Sequence, residues 1–157
     1  MPKEIKLSEL VEIIHDTINN RFAGETFWIT AEVTDLKPTN TIRQYRFLKF
    51  VEKYGNNIIA SIDAVFWQSY LKEIDKFENL TQRTFDNGLE IICRVRINFN
   101  VRYGLKLEVL EIDIAHTLGA LELERQRTLE RLIKENPKTI RLVDGQYKTL
   151  NNSLPLP

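Results

Sequence analysis

The chain has 157 residues, with 22 Lys and Arg balanced by 22 Asp and Glu, 43% hydrophobic residues and 28% charged ones. That length buries a core without help from a metal, and the lone cysteine excludes a disulfide within the chain. Zero net charge excludes nucleic-acid binding by bulk electrostatics alone. No apolar run is long enough for a membrane span and the opening Met1-Pro2-Lys3-Glu4 has no signal-peptide core, so a cytoplasmic protein without a membrane partner is expected.

Ser8 opens a helical pattern in which Leu10, Val11, Ile14 and Ile18 share a side, with Ser8 placed to cap it and Glu9 suited to its positive end. A short amphipathic helix ending before Gly24 is predicted. From Thr26 the period becomes two: Phe27, Ile29, Ala31 and Val33 alternate with Trp28, Thr30, Glu32 and Thr34, up to a loop marked by Pro38 and Asn40. A second strand over 42–51 places Arg43, Tyr45, Phe47 and Lys49 on one face. Gly55-Asn56-Asn57 then turns into a third strand over 58–67. Over 68–80 the spacing of Tyr70, Leu71, Ile74 and Phe77 is helical.

The longest pattern runs from Leu89 to Thr117. Leu89, Ile91, Cys93, Val95 and Ile97 alternate with Glu90, Ile92, Arg94, Arg96 and Asn98. After a break at residues 99–104, Leu105, Leu107 and Val109 alternate with Lys106 and Glu108. This predicts a long hairpin with a basic, aromatic tip, and it places Cys93 in the core as a small apolar residue. Beyond Gly119 a helix over 120–136 is expected, stopped by Asn136-Pro137. The stretch from Lys148 to Pro157 has no periodicity, and the natural protein is expected to continue past it.

Five strands with a helix between the third and fourth predict a mainly β chain with flanking helices (α+β): a five-stranded OB-fold Greek-key barrel, with an N-terminal and a C-terminal helix. An unrelated five-stranded barrel or a sandwich fits the same order. The expected divisions are an N-terminal helical extension over 1–24, the barrel over 25–117, and a C-terminal helix and linker over 118–157. Two basic stretches with few acids, Lys37 to Lys49 and Leu89 to Lys106, fall on the strands and loops that form the ligand face of that fold.

Single-stranded nucleic acid is held by a basic groove along its phosphates and by aromatic faces under its bases. Arg43, Lys49, Arg94, Arg96, Arg102 and Lys106 are the candidates for the first role; Tyr45, Phe47, Trp67, Phe99 and Tyr103 are those for the second. The competing reading pairs the strand arginines with Glu90 or Glu108 and places the aromatics in the core. Glu111 and Asp113 share a strand face as a metal pair would, but no third ligand stands near them in sequence, and solvated charges are expected there. No phosphate-cradling glycine loop or nucleophile motif is present, so no catalytic residue, metal or cofactor is expected.

Several strings, in order along nearly the whole chain, resemble the N-terminal domain of exodeoxyribonuclease VII large subunits. They are Leu7-Ser8-Glu9-Leu10, Phe27-Trp28-Ile29-Thr30-Ala31-Glu32-Val33, Ala64-Val65-Phe66, Tyr103-Gly104-Leu105-Lys106-Leu107, Leu118-Gly119-Ala120 and Leu154-Pro155-Leu156-Pro157. The resemblance implies an OB domain that binds single-stranded DNA. It further implies a separate hydrolytic domain after the Leu-Pro-Leu-Pro segment, and a later helical region that binds the small subunit. The full assembly would then degrade single-stranded DNA to short oligonucleotides. The alternative is an OB-fold protein-interaction module that binds no nucleic acid. The chain departs from the family pattern at Thr41-Ile42-Arg43-Gln44-Tyr45 and at the hairpin tip, and Trp67 stands where many relatives carry Arg.

Overall fold

The computed structural model describes residues 2–135 and, beyond them, the backbone of 140–143 and 146–149; the Leu-Pro-Leu-Pro segment lies outside the described residues. The chain forms two compact units, Met1–Ile114 and Ala115–Pro157.

In the first unit, α1 (Leu7–Arg21) precedes β1 (Phe27–Thr34), β2 (Arg46–Tyr54) and β3 (Asn57–Phe66). A single 3-10 turn (Gln68–Tyr70) and α2 (Lys72–Thr81) come next, then β4 (Glu90–Asn100) and β5 (Gly104–Ile112). The strands close into a barrel in the order β1-β2-β3-β5-β4, with β1 pairing antiparallel to both β2 and β4 and β3 pairing parallel to β5. This is the predicted OB arrangement: a barrel with a helix between its third and fourth strands.

Alternation explains the closure. Ala31, Val33, Leu48, Phe50, Ala64, Phe66, Ile91, Cys93, Val95, Leu107 and Val109 all point inward and form one buried cluster. α2 seals one end of the barrel with Ile74 and Phe77. Phe85 completes that seal, edge-on to Phe66 at 5.6 Å and to Phe77 at 5.7 Å. Glu73, buried on the same helix, accepts the backbone N–H of Ile112 at 3.1 Å and so fastens α2 to the end of β5. Cys93 has no exposed surface, and burial pushes its thiol up to about 12.

α1 is tied to β4 through Asn19. Its amide accepts the backbone N–H of Phe99 at 2.9 Å and donates to the Phe99 carbonyl at 3.0 Å. The residue flanking the N-terminus of α1 is Lys6, with no side-chain cap bond, so Ser8 sits inside the first turn and does not cap it. β2 begins at Arg46, four residues later than the alternation suggests, because Thr41–Gln44 form a turn. α3 spans Ile114–Glu135, all but its first residue in the second unit, where β6 (Ile140–Val143) and β7 (Gln146–Thr149) form an antiparallel pair. α3 starts earlier than Gly119 implied: one glycine inside a helix costs about 1 kcal/mol, which a 22-residue helix tolerates. No helix among the described residues is long and apolar enough to cross a membrane.

Candidate nucleic-acid interface

The strand register lays out the outer face of β2, β3, β5 and β4 in rows. One row runs Phe47, Val65, Glu108, Arg96. The next begins Lys49 opposite Asp63 and continues to Lys106 opposite Asn98. Val65 faces outward by alternation and still has no exposed surface, so its neighbours close over it.

Those neighbours are aromatic. Tyr45 and Phe47 lie 4.5 Å apart, centroid to centroid. Trp67 stands edge-on to both, at 5.7 Å and 72° from Tyr45 and at 6.2 Å and 77° from Phe47. Tyr103 comes from the hairpin tip to within 6.1 Å of Phe47. These are the offset and edge-to-face distances at which aromatic rings attract. The ammonium of Lys106 lies 4.7 Å from the Phe47 ring centroid, within cation–π range.

A carboxylate holds this cluster from behind. Glu108, only 8% exposed, accepts a hydrogen bond from the Trp67 indole N–H on one oxygen and, on the other, the Arg96 Nε–H at 2.9 Å. A buried carboxylate with both oxygens engaged is satisfied, and the indole it grips is fixed in plane. The neighbouring Arg94 donates Nε–H to Glu111 at 3.1 Å. The strand arginines therefore form cross-strand pairs, with Glu108 as the competing reading had it and with Glu111 instead of Glu90. Both are gripped through Nε, and a guanidinium has further donors. Lys49 and Lys106 share Asp63, at 3.8 and 4.0 Å.

Two loops flank the face, and an asparagine shapes each of them. In the β1–β2 loop, the Asn40 side-chain oxygen accepts the backbone N–H groups of Ile42 and Arg43 at 3.1 and 2.9 Å. At the β4–β5 tip, that of Asn100 accepts those of Arg102 and Tyr103 at 2.8 and 3.1 Å. Gly104, at φ +76°, then turns the chain into β5, a conformation that a side chain would strain.

The structure thus brings most of the sequence-predicted residues together and separates some. Arg43, Tyr45, Phe47, Trp67 and Tyr103 line one open cleft of ≈ 390 Å³. Arg43 belongs to a turn and not to the face of β2, where alternation put it. Lys49 and Lys106 line an adjoining cleft of ≈ 220 Å³ together with Lys37, and Phe47 borders both clefts. Arg94 and Arg96 lie to one side on β4. Arg102 is exposed at the tip, and among the described residues neither its side chain nor that of Arg43 has an ion pair or hydrogen bond. Phe99 is not part of the cluster: it shares the parity of Val95 and Ile97, opposite to that of Arg96, and its backbone is bound by Asn19. Sequence reasoning gave no role to Gln68 or Ser69, which line the larger cleft; it counted Lys37 only as the start of the first basic stretch, and Glu108 only as a partner for the strand arginines and not for Trp67. Glu111 is engaged by Arg94, and no group of three or more His, Cys, Asp or Glu able to hold a metal occurs among the described residues.

A closed five-stranded barrel, with aromatic and basic side chains gathered on its β2–β3 face between the two loops that flank it, defines an OB-fold ligand-binding module. Residues 5–113 match the model of the OB-fold nucleic acid binding domain family, and the chain belongs to that family. It is similar to the exodeoxyribonuclease 7 large subunit of Deinococcus radiodurans, with 28% identity over 162 residues, covering 98% of this chain and 35% of that protein. The chain thus spans about a third of that relative's length. Among solved structures it is similar to the SSB domain of a Synechococcus protein, with 17% identity, 55% of this chain and 91% of that one covered, and a TM-score of 0.34. A mitochondrial single-stranded DNA binding protein of S. cerevisiae matches with 8% identity, 57% and 92% coverage, and a TM-score of 0.37.

Proposed function

We propose that this chain is the single-stranded-DNA-binding domain of an exodeoxyribonuclease VII-like large subunit. It holds a strand for a hydrolytic domain elsewhere in a longer cytoplasmic protein, which also binds a small subunit. The observation that carries the reading is the aromatic group Tyr45, Phe47, Trp67 and Tyr103 gathered beside Lys106, with the cations Arg43 and Arg102, unpaired among the described residues, in the flanking loops. Stacked bases contribute about 1–3 kcal/mol each, and the loop cations take the phosphates between them. With zero net charge, the local cations and rings supply the affinity and long-range attraction supplies little. Binding of this kind needs no cofactor, and cutting is the work of another domain.

Fluorescence anisotropy with a labelled oligo(dT) tests the reading. Affinity is expected to fall as salt rises, with a slope of about −0.7 for each phosphate neutralised on a single strand. Arg43→Glu with Arg102→Glu is expected to weaken binding at least tenfold without loss of fold, because neither side chain supports the barrel. No binding at low salt, or binding indifferent both to salt and to this charge reversal, refutes it.

A further inference from the structure

We infer that the two clefts on either side of Phe47 form a one-nucleotide subsite, in which the aromatic cleft takes an unstacked base and the lysine cleft takes its phosphate, with Gln68 reading the base. The inference rests on the single-stranded-DNA reading and adds base discrimination to it.

The aromatic cleft, at ≈ 390 Å³, is within the size range of small-ligand sites, about 300–1,000 Å³. Its walls are not all aromatic. Gln68 and Ser69, on the 3-10 turn directly after Trp67, border the same space, and both are exposed. Among the described residues neither side chain has a hydrogen-bond partner, whereas Trp67 beside them is fixed by Glu108. Rings without free polar groups would accept every base alike. A primary amide at the edge of the stack carries a donor and an acceptor side by side, so how well it pairs depends on the donors and acceptors along the free edge of each base.

Across Phe47 the chemistry changes. Lys37, Lys49 and Lys106 surround the smaller cleft, with Asp63 and Asp35 as its acids. Lys106 is held against the Phe47 ring at 4.7 Å. Phe47 borders both clefts, so a base in one and a phosphate in the other are neighbours across a single residue, as the two parts of one nucleotide are.

The two clefts have separable signatures. Affinities of the 157-residue chain for labelled oligo(dA) and oligo(dT) of equal length, at fixed salt, form a cycle with Gln68→Ala in which strand stacking cancels. The ratio of dA to dT affinity is expected to change roughly threefold or more in Gln68→Ala, and equally in Gln68→Met, which keeps the side chain's length without its donor and acceptor. Lys37→Ala is expected to weaken both oligonucleotides alike and to reduce the salt slope by about one phosphate contact. A dA/dT ratio unchanged by both Gln68 substitutions, or altered by Lys37→Ala, overturns the subsite and leaves single-stranded DNA binding standing. Failure of the wild-type chain to bind either oligonucleotide at low salt overturns both.

Discussion

Glu108→Gln tests whether the carboxylate beneath Trp67 holds the aromatic face together. Glu108 accepts two hydrogen bonds, one from the indole N–H and one from Arg96, and is almost fully buried. Glutamine keeps the shape, but one of its two terminal atoms is an NH₂ that must face a donor. A hydrogen bond to a charged group contributes about 1.5–3 kcal/mol net, and a buried donor left without an acceptor costs a similar amount. The Arg96 side chain is 45% exposed, so water replaces its lost partner and the loss falls mainly on the indole N–H. The expected destabilisation is about 2 kcal/mol, or ~4–8 °C in melting temperature for a chain of this length. Urea denaturation followed by circular dichroism measures it. Trp67→Phe supplies the control, since it keeps a ring and removes the N–H. In that background Glu108→Gln is expected to cost less than about 1 kcal/mol. An equal loss in both backgrounds refutes the view that Glu108 acts through the indole.

Two further predictions concern the scaffold. Asn19→Ala removes both hydrogen bonds to the Phe99 backbone, so ~1–2 kcal/mol of stability is expected to go and the Phe99 amide to exchange faster than its strand neighbours; unchanged protection at Phe99 refutes the link between α1 and the hairpin. Cys93 gives a pH dependence of known sign. Its folded value is raised, so the unfolded chain loses the thiol proton first and stability falls as pH rises from the ordinary thiol value towards 12. Between pH 8 and pH 10 the wild type is expected to lose about 2 kcal/mol more than Cys93→Ala. Equal pH slopes for the two proteins refute that assignment.

Strands with one buried face were legible in the sequence. Period two in β1, β4 and β5 marks a face sealed by the core, and the middle of each predicted inward set is buried, whereas Phe27 and Leu105 at strand ends are exposed. The start of β2 was not legible in the same way, because the alternation of Arg43 and Tyr45 continues through a turn that the Asn40 side chain builds. Asparagine ahead of a strand was the signal. Phe99 shows the opposite error: it continues the inward parity of β4 at the point where the apolar pattern was taken to break. The acids that bind Arg94 and Arg96 depend on cross-strand register, and the irregularity between Arg94 and Val95 shifts it. One sequence cannot supply that shift. Gln68 and Ser69 stayed hidden because they follow the strand pattern in a turn that spacing alone does not place against the barrel face.

The asparagines that fold the two loops have a kinetic consequence. Each closes its loop with hydrogen bonds formed within the loop, so the shape at Arg43 and Tyr103 exists before any strand arrives. The conformational entropy of those segments is surrendered when the chain folds and not at the encounter. Association then needs little rearrangement, and a chain with no net charge exerts little long-range pull. The lifetime of the complex, more than the speed of its formation, is where substitutions on this face will register.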